Sequence, residues 1–374
     1  MMMHDMMTPE QLRDNVDAYD RSPLLTVEDL HTYFFTDDGI VKAVNGVNFS
    51  VRRGEVFGIV GESGCGKSVT AMSILRLIDR PGRIMAGRIG FAGESLLGMP
   101  EAKMKRLRGR RISMISQEPH ASLNPVFTIG DQIAETFQIH LNLSKKKAWI
   151  RAVDLLRQVE IPEPERKAHA YPHQISGGQA QRVLIATALA LDPELLIADE
   201  PTTALDVTIQ AQILDLIRTL TREHNTSVIL ITHDLGVVAE ICDRVAVMYA
   251  GQIVEQGSVT ELFDRPLHPY TKGLIDSMPV LGHQKQRLNI IPGSVPDLVD
   301  MPPGCRFASR CTAKEEYNCA ICTEVEPDLI EELPGHAVRC WLYRSHGDHV
   351  APLVITELDA VPRTTVNVES GNDL

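Results

Sequence analysis

The residues of this chain best suited to chemistry form one stretch, Gly61-Glu62-Ser63-Gly64-Cys65-Gly66-Lys67-Ser68, directly after the apolar run 56–60. That order reads as strand, loop and helix. Glycines at 61, 64 and 66 let the backbone curl without Cβ clashes, so that successive N–H groups point inward and cradle the β-phosphate of a nucleotide. Lys67 adds a positive charge between the β- and γ-phosphates, and Ser68 supplies the hydroxyl that Mg2+ takes as a ligand. The helix that opens there, running on through Val69, sets its positive dipole end behind the anion. The alternative is a glycine-rich turn with a chance Lys-Ser pair, and the match at every demanded position counts against it.

Three further strands end in polar chemistry. Leu195-Leu196-Ile197-Ala198-Asp199-Glu200 reads as a buried, parallel-type strand closed by two carboxylates, which are costly there unless a metal or a reaction needs them. Asp199 would hold Mg2+ through water, and Glu200 would face an attacking water as general base. Read structurally, the same pair caps a helix ahead of Pro201. Residues 112–116 form a second buried strand that delivers Gln117 to the same edge, within reach of a metal or a water. Residues 227–231 deliver Thr232-His233-Asp234; a lone histidine is more often structural, but three polar strand ends together move this one towards function. Between these segments, Ser176-Gly177-Gly178-Gln179 opens a helix whose free N–H groups make a second anion-binding device.

The chain that must position them has 374 residues, 44% of them apolar, enough for one large or two medium domains. Its net charge of −12 argues against a nucleic-acid partner held by phosphate contacts. No uninterrupted apolar run reaches the roughly 18 residues of a bilayer span, so a membrane role would come through partners. The start, Met1 to Met7, lacks the basic end and apolar stretch of a secretory signal, which places the protein in the cytoplasm. Residues 1–22 read as a flexible leader and 346–374 as a flexible acidic tail. Residues 24–51 suggest antiparallel strands with tight turns at Asp37-Asp38-Gly39 and Asn45-Gly46. Among Tyr33, Phe34 and Phe35, one ring could stack on adenine, although strand aromatics are more often core. Residues 129–166 are helical in pattern, with Lys145-Lys146-Lys147 on a solvated face. A helix over 207–221 buries Ile209, Ile213, Leu216, Ile217 and Leu220, and the strand 245–248 completes the sheet.

Of seven cysteines, Cys65 and Cys242 read as bystanders, while Cys305, Cys311, Cys319, Cys322 and Cys340 fall close together. In the cytosol such clustering favours metal over disulfide. Thiolates in fours hold Zn2+ or an iron–sulfur cluster, and spacing does not choose between them; unliganded structural thiols are the third reading.

In this order and spacing the pieces resemble the nucleotide-binding subunit of an ATP-binding cassette (ABC) transporter, over about residues 24–345. The resemblance implies an α/β fold: an ABC-type P-loop ATPase core with an antiparallel β subdomain and a helical subdomain, plus a small Cys-rich C-terminal domain. Its boundaries would be 23–262 for the nucleotide-binding domain, with the helical subdomain at about 118–182, and 263–345 for the C-terminal domain. Carried over by position, Gly61 to Ser68 matches the Walker A loop, Gln117 the Q-loop, and Ser176 to Gln179 the signature. Asp199 and Glu200 match the Walker B pair, Thr203-Ala204-Leu205-Asp206 the D-loop, His233 the switch histidine, and Phe34 the adenine-stacking aromatic. Ile175 stands where the family usually has Leu.

The family's arrangement implies that each chain's loop and signature complete an ATP site only across a head-to-tail dimer, with the segment between Gln117 and Ser176 passing the motion to a membrane subunit. Ser116-Gln117-Glu118-Pro119, Ser122-Leu123-Asn124-Pro125, Tyr171-Pro172-His173, residues 201–210 and His268-Pro269-Tyr270-Thr271 are similar to the oligopeptide and dipeptide importer branch. Nickel and other small-solute importers share much of this pattern. The D-type subunit of peptide importers pairs with a related ATPase, two transmembrane permease subunits and an extracytoplasmic peptide-binding protein, on the cytoplasmic face of the membrane. The same branch implies a [4Fe–4S] cluster at Cys305, Cys311, Cys322 and Cys340, with Cys319 an alternative to Cys322 and Zn2+ an alternative metal. A soluble ABC ATPase acting on ribosomes or DNA would carry two cassettes or a long coiled insertion, and this chain has neither. A non-hydrolysing nucleotide-binding regulator is disfavoured because both Glu200 and His233 are present.

Overall fold

The computed structural model describes residues 23–203, 206–278, 291–299 and 301–353. The expected leader, Ala204 and Leu205 of the D-loop, and residues 354–374 of the expected tail lie outside them.

Two sheets carry the architecture. The smaller is antiparallel: β1 (Pro23–Thr36) pairs on one side with β2 (Gly39–Arg52) and on the other with β4 (Gly82–Phe91), with β5 (Glu94–Ser95) beyond. Asp37-Asp38 makes the β1–β2 turn as expected. Asn45-Gly46 does not turn. It lies inside β2, where His31 pairs with Asn45 and Leu30 with Val47, so Gly46 bulges out of the ladder.

The larger sheet takes its order from β3 (Val56–Val60), β6 (Ile112–Ile115), β7 (Leu195–Asp199), β8 (Ser227–Thr232), β9 (Arg244–Tyr249) and β10 (Gln252–Ser258), followed by β11 (Ile330–Leu333) and β12 (His336–Val338). The strands run β11-β12-β10-β9-β3-β8-β7-β6. From β9 to β6 the pairs are parallel, and β7 and β8 are buried along their whole length, which is why their sequences are apolar apart from Asp199, Ser227 and Thr232 at the ends. The sheet does not end at β9, as the sequence suggested. β10 adds antiparallel, and the C-terminal region supplies β12 and β11 beside it.

The helical stretch expected over 129–166 is three helices, Ile129–Leu141, Lys145–Gln158 and Pro164–Lys167. Asn142, in the left-handed conformation, ends the first, and Ser144 leads into the second. These helices and Gly177–Leu189 bury Ile133, Phe137, Leu156, Val183 and Ile185 in a core shared with Ile115 and Leu196 of the sheet. Lys145, Lys146 and Lys147 are exposed, as expected. The C-terminal region packs in two places: Tyr270, Phe307, Cys305 and Cys311 lie on Val60, Val247 and Tyr249 of the sheet, while Ala308, Cys319, Ile321, Cys322, Trp341 and Leu342 form a small cluster of their own. Residues 346–353, expected to belong to the tail, fold back, with the Leu353 N–H donating to the Leu342 carbonyl at 2.9 Å.

Candidate functional site

Register brings the chemistry to one edge. Val60 aligns with Thr232, Asp199 with Ile231 and Ile115 with Ala198, so β3, β8, β7 and β6 release the 61–68 loop, His233, Glu200 and Gln117 side by side.

The loop is fixed by close approach. A Cβ on Gly61 would lie 2.1 Å from the Met248 carbonyl oxygen, and one on Gly66, at φ 105°, 2.2 Å from that of Ala43; only glycine fits at either point. Lys67 is buried, and its ammonium donates to the carbonyls of Gly61 at 2.8 Å and Glu62 at 3.1 Å. Its Nζ thus sits over the loop, while Ser63, Gly64 and Ser68 stay exposed beside it. Burial pushes the Cys65 thiol up, which suits a packing residue rather than a nucleophile. Val69 is half-buried against the core that the two sheets share.

Asp199 is 4% exposed, and its Oδ1 has no hydrogen-bond partner. Burial raises its carboxyl above the usual range, the Ser68 hydroxyl beside it lowers it, Glu200 raises it and Lys67 lowers it. A buried carboxylate oxygen left without a donor, next to a serine hydroxyl and an ammonium, fits a divalent cation. Glu200, immediately after, has φ 45°, a strained conformation for a non-glycine residue. Three groups meet its Oε2: Gln117 Nε2 at 3.1 Å, Thr203 Oγ1 at 2.8 Å and His233 Nδ1 at 3.4 Å. The carboxylate is thereby aimed while His233 and Gln117 remain exposed. Gln210 reaches Asp234 at 3.3 Å and ties the helix Val207–Glu223 to the His233 turn.

Ser176 caps the helix Gly177–Leu189: its Oγ accepts from the Gln179 N–H and the Gln179 side chain accepts from the Ser176 N–H, both at 3.3 Å. Ile175 is buried, so the departure from Leu falls in an apolar position. Gly177 has open space where a Cβ would be. Among the described residues no hydrogen bond joins this motif to the 61–68 loop. Asp206 caps Val207–Glu223, accepting from the Ile209 N–H at 3.0 Å. Phe34 is half-buried on β1, opposite Val41 of β2 and Gly82 of β4.

Sequence reasoning misses three contributors: Thr203 as a partner of Glu200, and Tyr270 and Arg310, which grip Glu62. The Glu62 N–H donates to Tyr270 Oη at 3.0 Å, and Arg310 Nη1 donates to both Glu62 carboxylate oxygens at 3.1 Å. The Tyr270 signal is present in His268-Pro269-Tyr270-Thr271, which by itself serves only to place the branch.

The arrangement of the cysteines does not by itself support the metal site expected of them. Burial raises Cys305 to about 11 and Cys322 to about 12, lifts Cys311 and Cys319, and pushes Cys340 well up, with neighbouring thiols adding to it. Yet among the described residues no group of three or more His, Cys, Asp or Glu is arranged to hold a metal ion. Cys311 sits against the Phe307 cluster, Cys319, Cys322 and Cys340 sit against Trp341, and Cys305 packs on both. No assembled ligand set for a [4Fe–4S] cluster or Zn2+ is present among the described residues.

Residues 44–203 match the ABC transporter family, and residues 254–319 match the oligopeptide/dipeptide transporter C-terminal region. A probable peptide ABC transporter ATP-binding protein of Sinorhizobium fredii is 54% identical over 85% of this chain and 94% of its own length. The chain belongs to the ABC transporter ATP-binding subunits. This ABC subunit is also 50% identical to the oligopeptide transport ATP-binding protein AppD of Bacillus subtilis, over 87% of this chain and 98% of AppD. Among solved structures it resembles the dimeric ATP-binding cassette MJ0796 bound to ADP and Pi, at TM-score 0.57 and 26% identity, covering 63% of this chain and 98% of that one. Among the described residues of the ABC subunit, no helix is long and apolar enough to cross a membrane.

Proposed function

We propose that this chain binds and hydrolyses ATP to drive a membrane importer of di- and oligopeptides. The observation that carries the reading is the pairing of a buried, unpartnered Asp199 oxygen with an aimed Glu200 beside a phosphate cradle. The cradle amides of residues 63–68 and Lys67 hold the β- and γ-phosphates. Ser68, Gln117 and Asp199 would hold Mg2+, whose charge screens the phosphates during transfer. Glu200 takes the proton of the attacking water, His233 steadies the γ-phosphate, and Phe34 stacks on adenine.

Among the described residues, loop and signature share no hydrogen bond within the chain, which supports a site completed by a second subunit. There, Ser176, Gly177, Gly178 and Gln179 would close over the partner's nucleotide, with Asp206 beside them. The partner is a related ATPase, and the pair sits under two permease subunits fed by an extracytoplasmic peptide-binding protein, at the cytoplasmic face of the membrane. The domain division proposed is 23–262 and 263–345, although the β10–β12 pairing makes the two continuous.

Purification of the subunit from membranes, with identification of its companions and peptide uptake into reconstituted vesicles, tests the reading. ATP-dependent uptake of peptide, but not of nickel, is expected; uptake of nickel alone would replace the substrate. The finer cofactor proposal, a [4Fe–4S] cluster or Zn2+ on Cys305, Cys311, Cys322 and Cys340 with Cys319 in reserve, is supported by mutual proximity alone. A fully folded, metal-free subunit from anaerobic purification would remove it.

A further inference from the structure

Both ends of the phosphate loop are held by residues outside the motifs. At the first end, Tyr270 accepts from the Glu62 N–H and Arg310 grips the Glu62 carboxylate. At the other, the Gly251 N–H donates to the Cys65 carbonyl at 2.9 Å, and the carbonyl of the preceding Ala250 accepts from Arg306 Nη1.

Tyr270 and Arg310 are more deeply buried than the Glu62 they hold. Tyr270 is fully buried and packs on Tyr249 and Phe307. Its N–H donates to His268 Nδ1 at 3.0 Å, which fixes the start of its helix, Pro269–Asp276. The Arg310 side chain is 5% exposed; Nε donates to the Pro292 carbonyl at 2.7 Å, and the guanidinium lies 5.7 Å from the Tyr249 ring centre and 5.9 Å from that of Phe307. A planar guanidinium held at so many points offers the loop a fixed partner to dock on. The Glu62 N–H, committed to Tyr270, is also withdrawn from the cradle, so the ring hydroxyl selects which amides face a phosphate.

We infer that Tyr270 and Arg310, with Arg306 at the far end, are positioning residues through which the C-terminal region sets the shape of the phosphate loop in its own chain. The inference rests on the reading of Gly61 to Ser68 as an ATP cradle. It also explains the segment 305–311, where Arg306 and Arg310 flank a short turn bounded by Cys305 and Cys311, so that one segment reaches both ends of the loop.

The test uses the full-length subunit and the variants Tyr270→Phe, Arg310→Gln, Glu62→Gln and the Glu62→Gln/Arg310→Gln double. Tyr270→Phe keeps the ring and its packing. It should speed amide exchange at Glu62 and raise both the Kd for MgATP and KM by about fivefold, with kcat changed less than about twofold. Arg310→Gln should weaken MgATP by about tenfold, and adding Glu62→Gln should weaken it no further, because both remove one pair. Wild-type exchange and Kd in Tyr270→Phe, or independent effects that multiply in the double variant, would overturn the inference. If Arg310→Gln does not fold, Tyr270→Phe and Arg310→Lys carry the same decision. A wild-type chain that binds no MgATP would instead sink the ATP reading itself.

Discussion

Two buried carboxylates lie in different parts of this molecule, Asp199 at the end of β7 and Glu255 in β10, and their surroundings are opposite. Glu255 is fully buried and accepts from the N–H groups of Leu267 at 2.7 Å and His268 at 2.8 Å, with His336 Nε2 at 2.7 Å. Asp199 is nearly as buried and leaves Oδ1 without a donor. The first acid is consumed in joining the C-terminal region to the sheet. The second keeps hydrogen-bonding capacity for a cation or a water to take up. Burial alone therefore does not separate the two acids; the unused oxygen beside the phosphate loop does.

The comparison can be broken most sharply at Glu200, next to Asp199. Glu200→Gln should lower ATP turnover by about 10³-fold while MgATP stays bound, seen as hydrolysis against nucleotide retention. Normal turnover would return both acids to a capping role. Lys67→Ala should weaken ATP binding by about 100-fold, measured by titration, because it removes the cation from the cradle. At the other acid, Glu255→Ala should show itself in stability, costing about 3 kcal/mol in urea unfolding, since three donors lose their acceptor. An unchanged unfolding curve would mean that the C-terminal region is held elsewhere.

The smallest effect expected is on the pH dependence of the ligand-free fold. Burial raises the Asp199 carboxyl, so the folded protein holds that proton to higher pH than the unfolded chain does. Stability from this group is then full below the ordinary carboxylate range and lost as pH rises through the raised value. Asp199→Asn should therefore be relatively more stable at neutral pH than in acid, in thermal unfolding without Mg2+. A constant difference between variant and wild type across that range would show that Asp199 is already satisfied.

What was legible in the sequence was local. Gly61 to Ser68 and Ser176 to Gln179 each carry their chemistry within eight residues, and the apolar strands β3, β7 and β8 declare which edge they serve. Tyr270 and Arg310 were not legible as site residues, because they meet Glu62 across 208 and 248 residues of chain. Nor was the widening of the sheet: β12 is three residues long, too short to show a period of two. Asn45-Gly46 has the composition of a hairpin turn, but the pairing of β1 along both its edges overrides that local preference. The cysteines were countable, but their side-chain directions were not.

The seam between β10 and β12 has a practical consequence for shortened forms of the chain. Glu255 pairs with Val338 and Gln256 with Ala337, and the Arg339 N–H reaches the Val254 carbonyl at 2.8 Å. Cutting the polypeptide before β11 would turn β10 into an outermost strand with the apolar pair Ile253-Val254 beside bare amides and carbonyls. Such a strand recruits copies of itself, so a nucleotide-binding fragment made this way should clump from solution where the longer protein does not.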